Sequence, residues 1–130
     1  LNPEQACGQC HADTNYVVGR VAEIQDQVAT TKVTTEDAIV DAINAIKKAV
    51  AAGNADPAML DQARKLHREA QFMWDIISAE NSTGFHNPEY ALKTLAEATN
   101  RARQAQMLAA QSIGDTTLLA TGTYYETAPA

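Results

Sequence analysis

Both cysteines of this 130-residue chain fall within one string of five residues, Cys7-Gly8-Gln9-Cys10-His11. No other feature constrains the chain as much. Two thiols three positions apart can each form a thioether with one of the two vinyl groups of a single haem. The imidazole that follows directly can then ligate the iron from one face. The pattern C-x-x-C-H is accordingly read as a c-type haem attachment. Three other chemistries use paired cysteines, and each asks for something more. A zinc site takes four ligands, so Cys7, Cys10 and His11 would need His67 or His86 as the fourth. A thioredoxin-like dithiol expects a βαβ setting around the motif, and no such pattern surrounds it. A disulfide across a two-residue gap closes a very small loop and stabilises little. The expectation is therefore one covalent haem c on Cys7 and Cys10, with His11 as an iron ligand.

The scaffold reads as all-α, three long antiparallel helices in one domain of residues 1–114, followed by an irregular C-terminal tail, 115–130. Asp13 or Thr14 is placed to cap a first long helix. Val17, Val21, Ile24 and Val28 recur along it at helical spacing, and Ile39, Ile43, Ile46 and Val50 resume the same rhythm. Between them, Thr30, Thr31, Thr34 and Thr35 lower helix propensity. The interval from Val28 to Ile39 is close to a whole number of helical turns, which favours a single helix over residues 14–51, ended by Gly53-Asn54. Asp56 and Pro57 open a second helix, with Leu60, Ala63, His67, Ala70, Trp74 and Ile77 on one face. Asn81 to Gly84 stops it. Asn87 and Pro88 open a third, whose inner stripe reads Leu92, Leu95, Thr99, Ala102, Gln106 and Ala109, and Gly114 closes it. Short connections make consecutive helices antiparallel. The many alanines permit close helix approach and leave room for a haem or another subunit. The tail has a short apolar patch, Leu118, Leu119, Tyr124 and Tyr125, without a helical period.

Charge narrows the partners. Ten basic against sixteen acidic residues give a formal net charge of -6, which argues against nucleic acid or an anionic membrane surface. No apolar run approaches the length of a membrane span. Leu1-Asn2-Pro3-Glu4 does not resemble a natural translation start, so processing or truncation is expected. A thioether-linked haem implies a periplasmic or extracellular location.

Haem iron takes a ligand on each face. His11 supplies one. For the other the residues themselves leave His67, His86, Met59, Met73 and Met107 open. A histidine on a helical stripe, as His67 is, is more often a packed residue. His86 lies in a turn beside Phe85, where a fixed backbone lets an imidazole project outward.

Several longer stretches carry a resemblance. They are the motif Cys7 to His11, the segment Arg20 to Gln25, the run Leu66-His67-Arg68-Glu69-Ala70-Gln71-Phe72-Met73-Trp74-Asp75, and Gly84-Phe85-His86-Asn87-Pro88-Glu89-Tyr90-Ala91. From Cys7 to about Ile113 the chain resembles the C-terminal part of the pentahaem, ammonia-forming cytochrome c nitrite reductase family. The resemblance implies that Cys7 to His11 is that family's last haem motif and that His86 is the distal ligand of its haem, leaving His67 to packing. It also implies a homodimer contact through residues 14–51 and 88–113. The departures matter as much. Only one haem motif is present, there is no C-x-x-C-K motif, and the family's catalytic Arg, Tyr and His lie upstream of the matched region. The expected function is one-electron transfer by a bis-histidine c-type haem walled by Trp74, Phe85 and neighbouring apolar residues. No catalytic site is expected within these residues, and the partners are other haem proteins or a multihaem subunit. The rival expectations are a structural dimerisation or polymerisation module and a haem sensor.

Overall fold

Each long helix starts where a side-chain oxygen meets its free N–H groups. In the computed structural model, which describes residues 2–117, Asp13, Asp56 and Asn87 precede α2 (Thr14–Ala52), α3 (Pro57–Ala79) and α4 (Pro88–Ser112). Their carboxylate or amide oxygens accept from the N–H of Tyr16, Met59 and Tyr90 at 2.9, 2.8 and 3.1 Å. Caps of this kind stabilise by about 1 kcal/mol each. A short α1 (Pro3–Ala6), capped by Asn2, comes before them. The α2 helix ends at Gly53, whose φ of 72° is left-handed. The threonine run does not break it. The hydroxyls of Thr31, Thr34 and Thr35 donate back to the carbonyls of Gln27, Thr30 and Thr31, so they are satisfied inside the helix rather than competing with it. Thr35 is buried and also meets Thr99 Oγ1 at 3.0 Å, which stitches α2 to α4.

Three layers of side chains hold the bundle. Val28 packs with Ile77, Ala91 and Leu95. Ala38, Ile39 and Ala42 pack with Ala70, Ala102 and Ala105. Ala49 packs with Leu60, Ala63 and Ala109. Moving up α2 is therefore moving up α4 and down α3. Consecutive helices run antiparallel as expected, and α2 and α4 run parallel. The α4 helix packs along both others, whereas α2 and α3 touch less.

Two expected faces are partly shifted. On α4, Leu95, Ala102 and Ala109 are buried as expected and Leu92 packs half-buried against the first layer, but Ala91, Ala98, Ala105 and Ala110 complete the buried face in place of Thr99 and Gln106. On α2, Ile43 and Val50 are exposed, and Ala42 and Ala49 take their places in the core. The cause is size. Alanines at heptad spacing let two backbones approach closely, and the larger residues next to them are turned to the flank. Among the described residues no helix is long and apolar enough to cross a membrane. Of the expected tail only residues 115–117 are described. There Asp115 accepts from Lys48 at 2.6 Å, while Leu118, Leu119, Tyr124 and Tyr125 lie outside the described residues.

The helices are unequal, and this creates the site. With 39 residues against 23 and 25, α2 overhangs its partners. From Thr14 to Val28, the first core layer, the overhang is roughly 20 Å at the helical rise of about 1.5 Å per residue.

Candidate functional site

One wall of the site is the motif at the start of the overhang. Cys7 and Gly8 donate their N–H groups to the carbonyl of Pro3 at 2.8 and 3.0 Å, and the carbonyl of Cys7 accepts from Cys10 and His11 at 3.1 and 2.9 Å. The turn winds so closely on α1 that a Cβ on Gly8 would lie 2.4 Å from the carbonyl oxygen of Glu4. Both thiols are free, Cys7 half-buried and Cys10 exposed. With His11 they open on a mostly apolar recess of about 440 Å³, whose other sides include Ala6, Val17, Arg20 and Phe85.

The facing wall is the connection from α3 to α4, and it is tied down at several points. The Glu80 carboxylate folds back on it. Oε1 accepts from Ser82 N–H at 2.8 Å, and Oε2 accepts from the Ser82 hydroxyl at 2.6 Å and Gly84 N–H at 3.0 Å. The Ser82 hydroxyl, then the N–H groups of Gly84 and Ser82, lower the carboxyl from its ordinary value to about 2. The Ser82 hydroxyl oxygen in turn accepts from His86 N–H at 3.0 Å. The Gln25 side chain reaches across from α2 and donates to the Ser82 carbonyl at 3.0 Å. Gly84, at φ 80°, sits against Val28 of α2. The outcome is a rigid platform from which Phe85 and His86 project. Their rings lie 5.4 Å apart, and the His86 side chain is 71% exposed, with Nδ1 3.7 Å from Glu80 Oε1. His86 opens on a second recess of about 440 Å³ beside Val21 and Gln25. Phe85 lines both recesses, so the two adjoin along the overhang of α2, with His11 on one and His86 on the other.

The remaining ligand candidates lie elsewhere. Met59 is next to Leu60, which packs at the level of Ala49, roughly 40 Å along α2 from Val21. Met107 is at that same end, near Ala109. His67 lies between Ala63 and Ala70, at or beyond the level of Ala42, roughly 30 Å from Val21. Its Nε2 is buried with no hydrogen-bond partner among the described residues. Burial, and then the charge of Arg68, lower its pKa. Met73 lies beside Trp74 and lines neither recess. Trp74, expected as a haem wall, is a correction. It packs between the first two core layers under Lys32, whose Nζ is 5.2 Å from the ring centroid. Its size fills the gap where α2 and α3 do not touch closely.

Sequence reasoning missed Glu80, Ser82 and Gln25. The available signal was the spacing Glu80-x-Ser82-x-Gly84 directly after a helix, a carboxylate within reach of the N–H groups that follow it.

The donor set fits a c-type haem. Two free thiols and an adjacent imidazole open on one recess, a second imidazole opens on the adjoining one, and Val17, Val21 and Phe85 line them with apolar surface.

Comparison with known proteins agrees. The cytochrome c552 family model matches residues 1–127. The chain is similar to the cytochrome c nitrite reductase subunit NrfA of Nitratidesulfovibrio vulgaris (strain Hildenborough), at 38% identity over 85% of this chain and 22% of that protein. It superposes on the solved cytochrome c nitrite reductase catalytic subunit (NrfA) of Desulfovibrio desulfuricans ATCC 27774 with a TM-score of 0.83 and 34% identity, covering 93% of this chain and 27% of that one. The chain thus spans about a quarter of the length of these relatives. The resemblance and the all-helical fold read from the sequence are both borne out.

Proposed function

Since the chain belongs to the cytochrome c552 family, we propose that it is a one-electron carrier, the part of a nitrite-reductase-like assembly that holds one c-type haem between two histidines. Cys7 and Cys10 would hold the haem through thioethers, and His11 and His86 would ligate its iron. A c-type haem, when bound, supplies a ferric/ferrous couple. The chain's own residues do the rest. The turn on α1 orients both thiols and His11 toward one recess. The platform from Glu80 to Asn87 holds His86 on the adjoining one, and Val17, Val21 and Phe85 keep water from the space between. With both histidines given to the iron, the chain would leave no position for substrate, so nitrite chemistry would belong to other parts of such an assembly. The observation that carries this reading is the shared floor of Phe85 beneath two recesses, each holding one histidine.

The partners follow from the same reading. They are other haems within electron-transfer reach and a second copy of the chain. Val33 and Val40 on α2 and Phe72 and Ile76 on α3 are exposed apolar side chains on the long helices, which supports assembly through these helices. The compartment of this reading is periplasmic or extracellular, outside the cytoplasm.

The test is spectroscopic. In holoprotein, His86→Ala is expected to turn the low-spin reduced spectrum high-spin or to open a carbon monoxide site, with His67→Ala as a control that changes neither. If His67→Ala alters the spectrum and His86→Ala does not, the assignment is wrong.

A further inference from the structure

The overhang of α2 carries positive charge at one point. Arg20 is the first Lys or Arg of the chain, and none follows before Lys32. Among the described residues that line the two recesses it is the one Lys or Arg side chain, and it lies on the recess that holds Cys7, Cys10 and His11. A haem attached through its vinyl groups brings two propionate carboxylates with it, on the porphyrin edge away from the thioethers. Carboxylates set against apolar surface need a charge or a hydrogen-bond donor beside them. We propose that Arg20, with the hydroxyl of Tyr16, is the clamp for a haem propionate on this recess. The inference rests on the reading of Cys7 to His11 as a haem attachment and makes no use of His86.

Three observations carry it. Tyr16 and Arg20 are four residues apart on α2, so they share one face of the helix, and both line this recess together with the apolar Ala6, Val17 and Phe85 and no carboxylate. Arg20 also has donors to spare. Its Nη1 donates to Glu23 Oε2 at 2.6 Å, but both side chains are more than half exposed, and such a pair is worth little. A guanidinium has five N–H donors, so a second carboxylate can join or replace that of Glu23. The third observation is position. Six residues separate Thr14 from Arg20, roughly 9 Å along α2 at the helical rise, so the cation stands off from the turn that fixes the thiols. A guanidinium beside a carboxylate holds it ionised. The clamp therefore keeps the propionate charged, and its own positive charge favours the ferrous state.

The experiment uses holoprotein and reads the midpoint potential by spectroelectrochemistry across acid and neutral pH. In the parent the midpoint rises as pH falls through the titration of the propionate, because protonation removes negative charge from beside the ferric iron. Arg20→Gln is expected to lower the midpoint above that titration. It also moves the titration itself up by about 1–3 pH units, the effect that an adjacent opposite charge has on a carboxyl. Arg20→Lys keeps the charge and restores most of both. Tyr16→Phe keeps the ring and moves the titration the same way by less. Lys48→Gln removes an equal charge at the far end of α2, where Lys48 meets Asp115, and leaves the profile unchanged. An Arg20→Gln profile that overlays the parent overturns the proposal. So does a lowered midpoint with the titration in place, because Arg20 would then act as a remote charge and not on the propionate. If Arg20→Gln loads too little haem to titrate, Tyr16→Phe decides, and an unmoved titration there overturns the proposal. Failure of the underlying reading looks different: the parent itself would show no Soret band and free thiols at Cys7 and Cys10.

Discussion

Gly84 is where the histidine platform is pinned to α2, and replacing it with alanine has a cost that follows from two separate strains. At a φ of 80° the backbone sits where an L side chain crowds its own carbonyl, at about 1–2 kcal/mol. The new methyl would also lie 2.6 Å from Val28 Cγ2 and 3.3 Å from Ala91 Cβ. Val28 is fully buried in the first core layer and has no room to retreat, so overpacking adds about 1–3 kcal/mol. Gly84→Ala is thus expected to destabilise by roughly 2–5 kcal/mol, a large share of the 5–15 kcal/mol typical of a domain. Urea unfolding reads this as a fall in midpoint with an unchanged slope. A double-mutant cycle then locates the strain. Val28→Ala removes the opposing methyl, so its cost in the Gly84→Ala background should be at least ~1 kcal/mol smaller than in the parent. The backbone contribution would persist in the double variant. A single variant within about 0.5 kcal/mol of the parent, or strict additivity in the cycle, refutes the reasoning.

Two further outcomes follow from the termini of the helices. The carboxyl of Glu80 is lowered from 4.5 to about 2 by the Ser82 hydroxyl and the N–H groups of Gly84 and Ser82, and that of Asp115 is held well below the usual carboxylate range by Lys48 and then Thr117. Both bind protons more weakly folded than unfolded, so their stabilisation is complete above about pH 4.5 and is lost as pH falls toward 2. Thermal melts should drop across that window and drop less in a Glu80→Gln, Asp115→Asn double variant; identical slopes would count against it. At the motif, Gly8→Ala puts a methyl 2.4 Å from a backbone carbonyl of α1, which forces the turn open. The ratio of Soret to protein absorbance should fall while far-UV helicity holds, and a full haem complement in this variant would contradict the geometry.

Helix boundaries were legible because they depend on neighbours in the chain. Asp13, Asp56 and Asn87 cap where they stand, Pro57 and Pro88 follow two of them, and Gly53 turns left-handed where the first long helix stops. The buried face of α4 was legible only in part: Leu95, Ala102 and Ala109 were placed, and Ala91, Ala98 and Ala105 were not. Periodicity weighs large apolar residues, and this seam is built of alanines, whose contribution is the closeness they allow rather than the area they bury. Leu92 stands beside Ala91 on the helix, and only the position of α2 decides which of them is fully buried. Trp74 was misplaced for a related reason: an aromatic ring beside a haem and one filling a gap between helices have the same signature in one dimension. The proposal of His86 as a ligand rests on the resemblance, not on spacing. Its support by Glu80 and Gln25 depends on a loop folding back on α2, and a contact between residues 25 and 82 leaves no periodic trace.

The two histidines lie far apart in the chain, yet both are referred to one helix. His11 stands just before the cap of α2, and His86 is held to α2 through the bond from Gln25 to Ser82 and the seat of Gly84 on Val28. The distance between them is therefore set by the first turns of a continuous helix, the stiffest short element a chain can make. One residue added between Asp13 and Gln25 would move one wall by about 1.5 Å and turn it by roughly 100° relative to the other, which no side-chain adjustment could absorb. The same insertion between Ala42 and Ala49 would leave the two recesses alone and disturb only the alanine seam beyond them. The long part of the bundle thus has a different task from the overhang. It anchors α2 against α4 through Thr35, Thr99 and the close-packed alanines, so that the free end of α2 does not bend. On the proposed reading, a carrier that held its two ligands on such a ruler would change little on gaining an electron. Small rearrangement is what fast transfer to a neighbouring haem requires.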